Sequence, residues 1–182
     1  MTRFKPFLAV AFTAIALPAF AENPMVGGAA MYEDKNIVEN AVNSADHTTL
    51  VAAVQAAGLA ETLSGEGPFT VFAPTNAAFE KLPAGTVETL LKPENKEMLT
   101  KILTCHVVAA DASAEAIMGM IQDDGGKHPV KTVGGCEFTA MSQDGKVMIE
   151  DGQGNVATVT IADVKQSNGV IHVIDTVLLP AM

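Results

Sequence analysis

One short apolar run constrains the fold more than any other feature. Phe69-Thr70-Val71-Phe72-Ala73 is rich in β-branched and aromatic residues, and Pro74 stops it. The segments around it have helical spacing instead. Ile37, Val38, Ala41 and Val42 form one stripe, Leu50, Val51, Val54 and Ala57 a second, and Met98, Leu99, Ile102 and Leu103 a third. A lone strand needs a sheet to join, and the pattern turns to strands only after Asp123. Residues 130–133, 136–141, 147–150, 156–164 and 170–179 read as strands, with Gly134-Gly135 and Asp144-Gly145 as tight hairpin turns. Residues 105–108 read as one more short strand. An early strand that must pair with a late sheet ties both parts into one α+β domain.

Local signals place the ends of the helices. A helix starts near Asn36. Asp46 is the expected N-cap of the next, which Gly58 ends. Asn76 is expected to cap a helix over 77–82 that Pro83 closes, and Ser113 to cap one running to Ile121.

The beginning of the chain reads differently. Arg3 and Lys5 precede an apolar stretch over 7–17, and Ala19-Phe20-Ala21 offers small residues around a cleavage site. Such a stretch is too short for a bilayer, which needs about 20 residues, and has the form of a secretory signal peptide cut between Ala21 and Glu22. The expected organisation is a signal peptide over 1–21, a flexible leader over 22–35 and a single domain over 36–182. Of 182 residues, removal of 21 leaves 161. The formal charge moves from −10 to −12, because Arg3 and Lys5 leave and no acid does. Every remaining basic residue is lysine, so the rigid fork that clamps phosphate or carboxylate is absent. An acidic chain of this kind is not a nucleic-acid binder. With no tryptophan, and with Tyr32, Phe69, Phe72, Phe79 and Phe138 as the remaining aromatics, stacking platforms are scarce.

Candidate chemistry is sparse. His106 and His172 lie in apolar runs, where a neutral ring bonded to backbone is the ordinary expectation and a metal or proton-carrying role the alternative. With His47, His128 and the cysteines they lack ligand-type spacing for zinc. Cys105 and His106 are adjacent, but neighbours on a strand point to opposite faces and cannot form a nucleophile–base pair. Residues 151–155 resemble a calcium loop only in part, and read as a hairpin loop. No cofactor is expected. In an exported protein, two cysteines suggest one disulfide, Cys105–Cys136, with two buried thiols as the alternative. Closing that 31-residue separation stabilises by about 3–4 kcal/mol on the chain-entropy model.

Two longer boxes carry a family resemblance. Gly67-Pro68-Phe69-Thr70-Val71-Phe72-Ala73-Pro74-Thr75-Asn76-Ala77-Ala78-Phe79 resembles the first box of fasciclin domains. Ser167-Asn168-Gly169-Val170-Ile171-His172-Val173-Ile174-Asp175-Thr176-Val177-Leu178-Leu179-Pro180 resembles their last. Leu103-Thr104-Cys105-His106-Val107-Val108 is similar to the central Tyr-His segment, with Cys105 in place of the tyrosine. The resemblance runs from about 36 to 180. It implies a fasciclin-like wedge, a β-sandwich of about seven strands with helices packed along it. It also implies a mainly structural role for Thr70, Phe72, Pro74, Thr75, Asn76, Phe79, Asn168, Gly169 and His172. Contact with a partner, as some animal members make it, would fall on His106, Val107, Val108, Ile174 and Asp175. The missing tyrosine and the reversed order of Ile174-Asp175 speak against integrin binding, and Asp175 is expected to bond backbone.

The implied function is an exported, non-enzymatic adhesion or interaction module, periplasmic or secreted to the cell surface. Its partner would be a cell-surface or extracellular protein or glycan, met in surface attachment or symbiosis. A periplasmic small-ligand carrier or sensor is the second reading. A hydrolase or metal enzyme is the third, resting on the two histidines and Asp175. The disulfide expectation has a direct check: thiol titration of the unfolded, unreduced mature chain should find no reactive thiol, and finding two would overturn it.

Overall fold

The structure is a computed structural model that describes residues 23–181. The expected signal peptide and its Ala21–Glu22 cleavage site lie outside these residues. The chain opens with a small hairpin, β1 (Met25–Val26) and β2 (Ala29–Ala30), followed by α1 (Ile37–Ala41), α2 (Thr48–Ala57) and α3 (Ala60–Ser64). The early strand is β3 (Phe69–Pro74). After it come α4 (Asn76–Glu80), α5 (Thr86–Leu90), α6 (Lys96–Cys105), β4 (Val107–Val108) and α7 (Ala114–Asp123). The last third is β5 (Lys127–Lys131), β6 (Glu137–Gln143), β7 (Lys146–Glu150), β8 (Val156–Gln166) and β9 (Gly169–Ile174).

The early strand joins the late sheet as its composition requires. Seven strands are hydrogen-bonded in the order β4-β3-β9-β8-β7-β6-β5. The β3–β9 pair is parallel, from Phe69 opposite Gly169 to Pro74 opposite Ile174, and the other pairs are antiparallel. Alternation then gives each face of this pair its own core. Val71, Ala73, Ile171 and Val173 face the helices and pack with Leu50, Val54, Phe79, Leu99 and Leu103. Phe72 and Ile174 face the other way and pack with Phe138, Ala140, Ile149 and Val159, together with Ile117 and Ile121 of α7. Strands from opposite ends of the sheet thus share one interior, which is the sandwich expected from the resemblance. The sheet turns at β8, whose pairing with β9 shifts register between Val159 and Ile161 and again before Val164. Bulges of this kind increase bend and twist.

Several local expectations need correction. The proposed flexible leader is docked: β1 and β2 pair, Val26 and Met31 are buried, and the Ala45 amide bonds the Gly27 carbonyl. The domain therefore starts before residue 36. Asp46 caps no helix, because 45–47 form a single tight turn that runs into α2. Thr75, not Asn76, caps α4, accepting from the Ala78 amide. Residues 105–108 are not a continuous strand: Cys105 is the last residue of α6, His106 its cap, and only Val107 and Val108 pair with β3. The last strand stops at Ile174, although Val177 and Leu178 remain buried beyond it. A helix does start at Asn36, which caps α1, Ser113 caps α7 as expected, and the Asp144-Gly145 turn has the positive φ values of a tight hairpin.

The parallel pair leaves no room at its start. A Cβ on Gly169 would collide with the Phe69 carbonyl, whereas one on Gly119, inside α7, would meet nothing. Gly169→Ala should lower stability by about 1–3 kcal/mol, and Gly119→Ala should raise it by about 0.5–1 kcal/mol. Urea unfolding of the two variants checks both signs.

Candidate functional site

The residues of the two boxes converge, and nearly all of their polar atoms are spent on holding backbone. Thr70 Oγ1 donates to the Ala110 carbonyl at 2.6 Å and accepts from the Ala112 amide at 2.9 Å, which fixes the segment after β4 against β3. His172 sits opposite Phe72 in the register, with ring centroids 5.6 Å apart. Its Nδ1 accepts from the Asp163 amide at 3.3 Å, so Nε2 carries the proton and donates to the Ala112 carbonyl at 2.8 Å. His106 has the opposite tautomer. Its Nε2 accepts from the Leu178 amide at 2.9 Å, and Nδ1 donates to the Ile102 carbonyl at 2.8 Å.

The asparagines act similarly across longer distances. Asn168 Oδ1 accepts from the Ile37 amide at 3.0 Å, while Nδ2 donates to the Leu63 and Gly65 carbonyls. Asn76 Oδ1 accepts from the Thr49 amide at 3.0 Å, and Nδ2 donates to the Ala45 carbonyl at 2.8 Å. Asp175 Oδ1 accepts from the Thr158 amide at 2.8 Å, as expected, and Oδ2 lies 3.7 Å from Lys81 Nζ. An exposed ion pair of that kind contributes little. Cys105 and Cys136 stand at disulfide distance with Cα atoms 5.4 Å apart, joining the end of α6 to the start of β6.

These positions correct the partner-contact reading. His106, Val107 and Ile174 are buried, so no partner reaches them on the folded surface. Val108 and Asp175 are half-buried, and Asp175 is already engaged. Cys105 and His106 form no nucleophile–base pair either, because both ring nitrogens of His106 are bonded elsewhere. Among the described residues, no three His, Cys, Asp or Glu side chains converge as a metal would require.

Two polar devices escaped the sequence reading. Asp151 takes four donors, the amides of Gln153, Asn155 and Leu179 and the Asn155 side chain, and so ties the β7–β8 loop to the end of the chain. Asn40, fully buried in α1, bonds Gln166 and both backbone groups of Tyr32. The 151–155 segment reads from sequence as a hairpin loop, but the Asp151 bond to Leu179 and the Asn40 bonds to Tyr32 and Gln166 join residues too far apart to leave a local signal.

The surface holds a polar groove of about 990 Å3 beside the start of the parallel pair. Asn36, Glu66, Asp111, Asp163, Lys165 and Asn168 are among its walls. Its three acids against one lysine continue the charge bias of the whole chain.

The buried rings set a pH dependence. Burial pushes His106 down to about 4 from 6.5, against the smaller opposing pull of its bond to Ile102. Burial also lowers His172 and His47, with backbone carbonyls pulling the other way. Between pH 6.5 and 4 the unfolded chain takes up protons that the folded chain refuses. The stability is therefore intact above the unfolded value and is lost as pH falls through this window. His106 alone accounts for about 3 kcal/mol. Urea midpoints should fall between pH 7 and 4.5, and His106→Gln should be less stable at pH 7 but show a shallower fall. An unchanged slope would contradict the assignment.

Comparison with known proteins adds context to this geometry. The Fasciclin domain family profile matches residues 45–180. The chain is 46% identical to the Synechocystis protein sll1483, across 99% of this chain and 97% of that one. It is 34% identical to the immunogenic protein MPB70 of Mycobacterium bovis, across 95% and 91%. It is 35% identical to the cell surface glycolipoprotein MPB83 of the same species, across 88% and 68%. A solved domain pair from the insect cell adhesion molecule Fasciclin I superposes with a TM-score of 0.70 over 80% of this chain, at 18% identity. The chain spans about half the length of that structure.

Proposed function

The chain belongs to the fasciclin domain family, and we propose that it is an exported, non-enzymatic adhesion or interaction module. The observation that carries this reading is the fate of the two boxes. The side chains that could have served chemistry are bonded to backbone inside the fold, and His106 and His172 are buried with both nitrogens occupied. A domain built this way offers its surface rather than a reaction centre. The names of its relatives point in the same direction, since one is a cell surface glycolipoprotein and the structural neighbour comes from a cell adhesion molecule.

The signal-like beginning of the chain supports export, to the periplasm, the medium or the cell surface. No described helix is long and apolar enough to cross a membrane. The partner is a cell-surface or extracellular protein or glycan that is neutral or basic, because the chain is strongly acidic. The polar groove is the contact face that fits such a partner, with Glu66 and Asp111 exposed on its walls.

Crosslinking of the tagged mature protein on living cells identifies what it touches. Replacing both acids, Glu66→Lys with Asp111→Lys, should weaken capture of that partner at least tenfold with an unchanged melting temperature. Undiminished capture would move the contact face elsewhere. Loss of the gene should impair attachment while leaving metabolism intact.

A further inference from the structure

The end strand β5 is paired on one side alone, with β6. Two bonds just beyond it show which residues face which way. The Thr132 amide donates to the Cys136 carbonyl at 3.0 Å, on the β6 side. The Val133 amide donates to the Val107 carbonyl of β4 at 2.8 Å, on the other side. An antiparallel pair alternates bonded and non-bonded partners along its length. Counted back from Thr132 in the register, Val130 and His128 therefore turn their backbone groups toward Phe138 and Ala140. Lys131, Pro129 and Lys127 turn theirs outward. At Val133 this outer side is covered by β4. From 127 to 131 it is open, and Lys127, Pro129 and Lys131 are exposed.

An open edge is a template for another strand. The occupant that every solution of this protein supplies is β5 of a second copy, and a two-fold axis closes such a pair. Antiparallel pairing centred on residue 129 would place the two copies of that residue opposite each other as a bonded pair. It would also place Lys127 of each copy opposite Lys131 of the other. Proline has no amide to donate, so the central pair loses both of its bonds. The lysines bring like charges directly opposite each other, which destabilises the pairing. Lys127 also reaches Glu150 at 3.3 Å, but an exposed pair of that kind contributes little to the fold.

We propose that Pro129, with Lys127 and Lys131 on either side, blocks strand addition at this edge and keeps a second copy from joining the sheet through β5. The position of the proline carries the argument. At His128 or Val130 it would remove a ladder bond to β6, whereas at 129 the missing amide belongs to the outer side and the ladder stays whole. The spacing Lys-x-Pro-x-Lys puts all three residues on the outward-turned positions of one strand. No residue of β5 lines the polar groove, so this proposal does not rest on the adhesion reading and either can fail alone.

The test uses the full mature chain and compares it with two double variants. Pro129→Val with Lys131→Glu restores the outward amide and turns the facing charges into opposite ones. Thr139→Val with Lys131→Glu makes the same charge change and adds a β-branched side chain to β6, but keeps the proline. By sedimentation equilibrium the first variant should self-associate about tenfold or more tightly than the native chain, and the second should not. Hydrogen exchange should show the residue-129 amide protected in the associated form. In the dilute native chain the Lys127 and Lys131 amides should exchange freely while those of His128 and Val130 are slow. This last measurement needs no variant, so the proposal stays testable if a substitution impairs folding. Association of the first variant no tighter than native would overturn the proposal, as would equal association of the second. An unprotected residue-129 amide in the associated form, or protected Lys127 and Lys131 amides in the dilute native chain, would overturn it too.

Discussion

Six residue pairs hold this molecule together. The parallel ladder from Phe69 opposite Gly169 to Pro74 opposite Ile174 carries the helical part of the chain into the late sheet, and the Cys105–Cys136 pair with the Val133–Val107 and Gly134–Thr104 backbone bonds adds a second tie. A parallel pair cannot be made by a hairpin and needs a long crossover. Here the crossover is most of the domain: α4 to α7, β4 and the whole β5–β8 meander. Each side chain of the ladder therefore separates two cores, with Val71 and Val173 on the helix side and Phe72 and Ile174 on the sandwich side. The close approach at Gly169 and the capping at Thr75 lie at the two ends of the same ladder.

This arrangement decides where function can reside. Thr70 and His172 satisfy backbone groups of the long crossover, while Asn76 and Asn168 satisfy backbone of the helical segment that precedes β3. His172 and Thr70 both hold the segment at 110–112, and His106 and Asp151 both hold the end of the chain at 178–179. Such networks cost several kcal/mol when cut, because each removed partner strands a buried polar group. Under the proposed interaction role, recognition falls to the surface, where the only cations after residue 3 are lysines and the acidic charge would favour neutral or basic partners.

Much of this was legible from residue types. Val71 and Phe72 with Pro74 announced a strand in a helical context, and that alone required a joint domain. The helix start near Asn36, the cap at Ser113 and the turn at Asp144-Gly145 follow from local chemistry and needed no tertiary knowledge. The failures have a common cause in tertiary contact. Val26 and Met31 lie in a Gly-rich stretch that looks like a leader, yet the helix-side core has room for them. Thr75 and Asn76 are both good caps. Asn76 is drawn away by Thr49 and Ala45, and Thr75 takes the amide. His106 looked like a strand residue because Val107 and Val108 follow it, but α6 continues through Cys105 before the chain pairs.

Native-state hydrogen exchange across the mature chain tests the central role of the ladder most directly. If β3 and β9 hold the two cores together, the ladder amides of residues 71–74 and 171–174 open only when the whole molecule unfolds. Their opening free energy should then equal the global value from urea unfolding and follow the same denaturant slope. The β5–β7 meander should open at equal or lower free energy. Ladder amides that exchange by a cheaper local opening, while β6 and β7 stay protected to the global limit, would contradict the account.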